Sequence, residues 1–239
     1  MDQATTQLRE VTIDGDADRG DAPSPAVAAV APGARRGMVV IHEMFGRQPE
    51  IDRVVQRFAA AGYAAIAPDL FHDGRLRCMQ ALMRTLARGE DSAPLRQTDR
   101  ARAWLCSEAK LERSNVGLIG FCFGGFFALL AGRGWAAVST NYGEVPKSES
   151  MRGIGQVIAC YGGRDRSMRG KPDLLKRRLA RVGVTPEVHE YPEAGHSFLT
   201  DGRHPLATAL TWPLIRLGYH APSADDAWPK ILAFFERNL

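Results

Sequence analysis

The sequence predicts an α/β fold, with a mostly parallel central sheet and helices on both faces. Three observations carry this. Short apolar runs bounded by turn residues alternate with longer stretches of helical periodicity. The connections between them are short, as in successive βαβ units. One strand–turn–helix passage, residues 115–131, is built around a glycine-bounded tight turn.

The elements follow in order. Leu8 to Asp14 alternates Val11 and Ile13 and reads as a strand. Ala26 to Ala31 reads as a second strand returning on it, so residues 1–36 form an N-terminal hairpin. Met38 to Ile41 is a buried strand, and Ile51, Val54, Val55, Phe58 and Ala59 then recur at helical spacing until Gly62. Tyr63 to Ala67 is the next strand, closed by Pro68-Asp69-Leu70. This strand–helix–strand order implies parallel pairing.

Residues 71–94 are less regular, with a short helix expected over Met79–Leu86. Leu95 to Cys106 is a helix leading into the strand Asn115–Ile119, and Phe126 to Ala131 is the helix after the turn. Further strands are expected at Trp135–Tyr142, Gln156–Tyr161 and Glu187–Tyr191, with a helix at Leu174–Arg181. Asp201 to Asp225 reads as a long connection that covers a pocket or forms a dimer contact, and Trp228 to Leu239 as a closing amphipathic helix. Residues 1–239 are expected to form one domain, a length common for undivided α/β folds.

Composition narrows the function classes. The formal charge is +4 and the arginines are scattered, which speaks against a nucleic-acid partner. Met1 to Gly20 lacks the apolar core of a secretory signal, and no apolar run is long enough to span a bilayer. Cys78, Cys106, Cys122 and Cys160 show no paired or metal-finger spacing. A soluble cytoplasmic protein with reduced thiols, without metal or other cofactor, is expected.

The chemistry centres on Gly120-Phe121-Cys122-Phe123-Gly124-Gly125. A strand, a tight G-x-C-x-G turn and a helix are the context of a nucleophile elbow, whose tip holds a side chain clear of the sheet. Cys122 stands at that tip. Taken alone, it reads equally well as a small buried apolar residue. Its partners decide between the two. In parallel α/β sheets active residues gather at the carboxyl ends of strands. Glu43, Cys122, Asp165 and His196 each follow a separate expected strand. Individually, Asp165 fits a turn, His196 a surface hydrogen bond and Glu43 a solvated carboxylate. Jointly, the order nucleophile, acid, histidine is that of α/β-hydrolases and points to a Cys122–His196–Asp165 triad. His196 would take the thiol proton, and Asp165 would fix its tautomer. Backbone N–H groups of Phe123 and Met44 are suited to bind the oxyanion.

The segments His42-Glu43-Met44-Phe45-Gly46, Gly120–Gly125, Gly163-Arg164-Asp165 and Gly195-His196-Ser197-Phe198 resemble those of dienelactone hydrolases (carboxymethylenebutenolidases), from about Met38 to the C-terminus. The resemblance implies an α/β-hydrolase fold and a cysteine nucleophile that opens a lactone or ester. It further implies that Glu43 contacts the thiol and helps activate it, and that Tyr142 lines the substrate. One departure stands out. The family's arginine after the catalytic histidine, which binds the substrate carboxylate, is replaced here by Thr200. Arg203 lies nearby but offset, and Arg75 or Arg77 could supply the charge instead. Two other readings stay open: acyl transfer to a non-water acceptor, and a non-catalytic binding or redox-sensing protein using Cys122.

Overall fold

The computed structural model describes residues 7–88, 91–202 and 214–239. The chain forms two compact units, Met1–Gly117 and Leu118–Leu239.

The first unit carries strands β1 (Arg9–Ile13), β2 (Ser24–Val30), β3 (Gly37–Ile41) and β4 (Ala64–Pro68). Their spatial order is β1-β2-β4-β3. β1 and β2 pair antiparallel, as do β2 and β4, whereas β3 and β4 run parallel. Helix α1 (Pro49–Ala60) joins β3 to β4 and packs on both. The residues with helical spacing in the sequence, Ile51, Val54, Val55, Phe58 and Ala59, form its buried face. Burial of each of the larger ones contributes roughly 1.5–3 kcal/mol. Pro49 at its first turn costs no hydrogen bond, because that N–H has no helical acceptor. Two further helices complete the unit, α2 (Arg75–Arg88) and α3 (Ala93–Ala109).

The second unit is parallel throughout. β5 (Val116–Phe121) begins at the unit boundary, followed by β6 (Ala137–Asn141), β7 (Gln156–Gly162) and β8 (Glu187–Tyr191). They lie in sequence order, each parallel to the next. Parallel strands covered by helices read as continuous apolar runs, and β5 is buried at every residue. Helices α4 (Phe123–Ala131), α5 (Lys171–Ala180) and α6 (Ala221–Asn238) complete it, with α4 packed on β6 and α6 on β6 and β7.

The two largest differences from the sequence reading are at helix starts. α2 starts four residues earlier than Met79, directly after Gly74 at φ 100°. Its first turn, Arg75-Leu76-Arg77, is exposed and gives no buried-face signal. α6 starts at Ala221, inside the expected long connection, with Pro222 in its first turn. Pro229 lies within the helix, where a sequence reading takes proline as a breaker. Of that connection, residues 203–213 lie outside the described residues, and Arg203 with them. No helix among the described residues is long and apolar enough to cross a membrane.

Candidate active site

Cys122 sits between β5 and α4 with φ 53° and ψ −115°. Side chains rarely adopt a positive φ, and such a backbone costs on the order of 1–3 kcal/mol unless its surroundings enforce it. Here they do. The Cys122 N–H donates to the Asn141 carbonyl at 2.9 Å. The Cys122 carbonyl accepts from the N–H groups of Gly125 and Phe126 at 3.0 and 3.2 Å. The buried Asn141 amide donates to the Gly120 carbonyl at 3.1 Å and so ties the end of β6 to the strand below the turn. Gly120 is obligatory, because a Cβ there would lie 1.9 Å from the Gly124 carbonyl oxygen. The sulfur is carried at the N-cap of α4, where the helix dipole favours negative charge.

Asp165 and His196 come from the loops after β7 and β8. Backbone bonds join these loops: Gly163 N–H to the Tyr191 carbonyl at 2.8 Å and Arg164 N–H to the Ala194 carbonyl at 2.9 Å. An ion pair between Arg164 and Glu193 adds to them on the exposed side. Gly162 permits the approach, since its Cβ would meet the Gly195 carbonyl oxygen at 2.3 Å. The result is a hydrogen bond of 2.5 Å between His196 Nδ1 and Asp165 Oδ2, both side chains being buried. The other carboxylate oxygen, Oδ1, accepts from the Ser167 N–H at 3.0 Å and the Ser167 hydroxyl at 2.6 Å.

Burial opposes charge on His196. The hydrogen bonds to Asp165 and to Cys122, and the electrostatic pull of the same two groups, outweigh it and push its pKa up to about 10. All three residues belong to the second unit, with His196 and Asp165 bonded to each other and Cys122 acting on the charge of His196. The other thiols are in different surroundings. Burial pushes Cys78 up to about 12 and raises Cys160 further, and Cys106 is raised by the same cause.

Tyr142 follows β6 at φ 42° and is fully buried. Its ring centroid lies 5.0 Å from that of His196, and its hydroxyl meets the Thr200 hydroxyl at 3.3 Å. Thr200 is also buried. Two of the residues singled out as substrate contacts thus bond to each other. Phe123, whose N–H was singled out for the oxyanion, opens α4 directly after Cys122.

The remaining candidates belong to the first unit. Glu43 and Met44 follow β3, Glu43 being buried. The Glu43 carbonyl accepts from the Gly46 N–H at 3.1 Å and from His42 Nδ1 at 2.8 Å. Because a carbonyl is only an acceptor, Nδ1 carries the His42 proton. Nε2 in turn accepts from the Leu70 N–H at 3.1 Å. Arg75 reaches back to the Met44 carbonyl at 3.2 Å. Arg77 is exposed on α2 and lines a cleft of about 420 Å³ with Leu70, His72, Arg84 and Gln97. Sequence reasoning did not single out His42 or Ser167 as separate contributors. For Ser167 a signal was present, since Asp-x-Ser after a strand is a common local capping pattern.

The model of the dienelactone hydrolase family matches residues 25–239. A relative from Escherichia coli (strain K12) is 28% identical, covering 84% of this chain and 76% of its own length. The carboxymethylenebutenolidase of Rhodococcus opacus is 26% identical, covering 96% of this chain and 92% of its own. A solved structure from Klebsiella pneumoniae superposes with a TM-score of 0.76 at 24% identity, covering 97% of this chain and 98% of that one. A deep-sea metagenome enzyme described as an α/β-hydrolase gives a TM-score of 0.65 at 14% identity, covering 97% of this chain and 99% of its own. The fold is thus that of the α/β-hydrolases, and the chain belongs to the dienelactone hydrolase family.

Proposed function

We propose that this protein hydrolyses a lactone or carboxylic ester with Cys122 as nucleophile, His196 as proton carrier and Asp165 as the group that orients His196. The observation that carries this is the buried bond between His196 and Asp165, together with a cysteine held in an elbow conformation whose sulfur contributes to the raised basicity of His196. The raised basicity of His196 favours transfer of the thiol proton to it. The sulfur then attacks the substrate carbonyl carbon, and the carbonyl electron pair moves onto oxygen. The N–H group of Phe123, directly after the nucleophile, is assigned to that oxyanion. When the tetrahedral intermediate collapses, the carbon–oxygen bond to the leaving alkoxide breaks and His196 delivers the proton to it. In a lactone the new hydroxyl stays on the acyl group. Water, deprotonated by His196, then attacks the thioester and releases the acid and the thiol.

Ester and lactone panels with and without acceptor alcohols test this reading. Wild type is expected to turn over at least one aryl ester and to carry its acyl group on the Cys122 peptide in a quenched reaction. Cys122→Ala is expected to lose turnover, while alanine at Cys78, Cys106 or Cys160 leaves it. Full activity in Cys122→Ala would sink the assignment. Transfer to the added alcohol in preference to water would make the protein an acyltransferase on the same residues.

A further inference from the structure

Asp165 has two carboxylate oxygens, and the structure uses them separately. Oδ2 bonds to His196 Nδ1, and Oδ1 takes two donors, both from Ser167. An ionised carboxylate only accepts, so the Ser167 hydroxyl must donate. At 2.6 Å this is a short, charge-assisted bond.

The two Ser167 donors do different things. Asp165 caps the single turn Arg166–Met168, and the cap is completed by the Ser167 backbone N–H. Any residue but proline at 167 would supply that N–H. The hydroxyl is additional to the local structure, and its target is a carboxylate whose side chain is wholly buried. With the hydroxyl in place the Asp165 side chain has no exposed surface. The last torsion of an aspartate side chain is soft, so one backbone bond leaves the carboxylate plane free to rock. Two donors on one oxygen fix the plane and aim the other oxygen at the histidine.

We propose that Ser167 is a positioning residue of this site. Its hydroxyl locks the Asp165 carboxylate so that Oδ2 holds the proton on His196 Nδ1 and leaves Nε2 for the reacting groups. This rests on the triad reading above. It extends that reading from three side chains to four, with the fourth acting only through Asp165.

The test pairs Ser167→Ala with Ser167→Thr. The side chain is exposed and the backbone cap survives both changes, so both variants are expected to fold. In Ser167→Ala, kcat on an aryl ester is expected to fall about tenfold with KM within twofold, as for a loss felt in the transition state. The low-field proton resonance of the short His196–Asp165 bond is expected to move or broaden. Ser167→Thr, which restores a hydroxyl at the same place, is expected to recover both. Unchanged kcat and resonance in Ser167→Ala would overturn the proposal. So would a fall in kcat with the resonance unmoved, or one that threonine does not rescue. Cys122→Ala run alongside keeps the two questions apart. Activity there defeats the triad itself, whereas an inactive Cys122→Ala beside a fully active Ser167→Ala defeats only the role of Ser167.

Discussion

His42 and His196 are both buried histidines in loops that follow a parallel strand, yet the protein sets them in opposite states. Burial pulls the His42 pKa down, and the bond to the Glu43 carbonyl and the Asp69 charge only partly oppose it. His42 is a neutral ring with a fixed tautomer, donating at Nδ1 and accepting at Nε2. His196 is as deeply buried, but its partners are a carboxylate and a thiol rather than two peptide groups. The lesson is that burial alone does not set a histidine's charge. A buried ring bonded to dipoles stays neutral, and one bonded to a charge keeps its proton. The neutral one acts as a brace and the charged one can do proton chemistry.

The largest expected effect separates brace from proton carrier. His196→Gln should lower kcat by about a thousandfold or more, because the proposed mechanism routes the proton through His196. His42→Gln should stay within about tenfold, since a side-chain amide can donate to Glu43 and accept from Leu70. Initial rates at saturating aryl ester, with circular dichroism to confirm folding, decide this. Equal losses would erase the distinction between the two rings.

A smaller effect concerns substrate charge beside His196. Thr200 and Tyr142 direct their hydroxyls at each other, where an arginine would pair with a carboxylate. A carboxylate brought there without an ion partner loses a few kcal/mol, roughly a hundredfold. kcat/KM is therefore expected to favour a neutral ester over its carboxylate-bearing analogue by about that factor. A preference for the acid would mean that a cation reaches the spot. Arg75→Ala, Arg77→Ala and Arg203→Ala would then identify it.

The smallest effect is on stability, and the two histidines give it opposite signs. His196 binds its proton more tightly folded, at about 10, than unfolded, at about 6.5. Its contribution is full below pH 6.5 and is lost as pH rises from there through 10. His42 binds its proton less tightly folded. Its neutral form supports the fold above pH 6.5, and protonation undermines the fold as pH falls below that value. Urea midpoints measured from pH 5 to 10 should show His196→Gln differing most from wild type on the acid side. His42→Gln, with no ring to protonate, should lose less stability than wild type between pH 6.5 and 5. Parallel curves for all three proteins would remove the charge difference.

The sequence by itself determined the order of elements and the positions worth watching. Apolar runs and helical spacing are local properties, so β3, α1, β4 and β5 were legible in it. The turn at Gly120–Gly125 was legible for the same reason, because its glycines mark a close approach of strand and helix. Cys122, Asp165 and His196 could be placed at strand ends from the sequence, and all three do follow strands. Helix ends at Arg75 and Ala221 were not, since an exposed first turn and two prolines carry no periodic signal.

What only the tertiary structure decided was which groups meet and in what charge state. Thr200 and Tyr142 are far apart in the chain, and nothing local says that they bond to each other. His42 and His196 are the same residue type, and only their buried neighbours hold one neutral and favour the proton on the other. Hydrogen-bond partners and desolvation are set by packing across the chain, which composition and spacing do not encode.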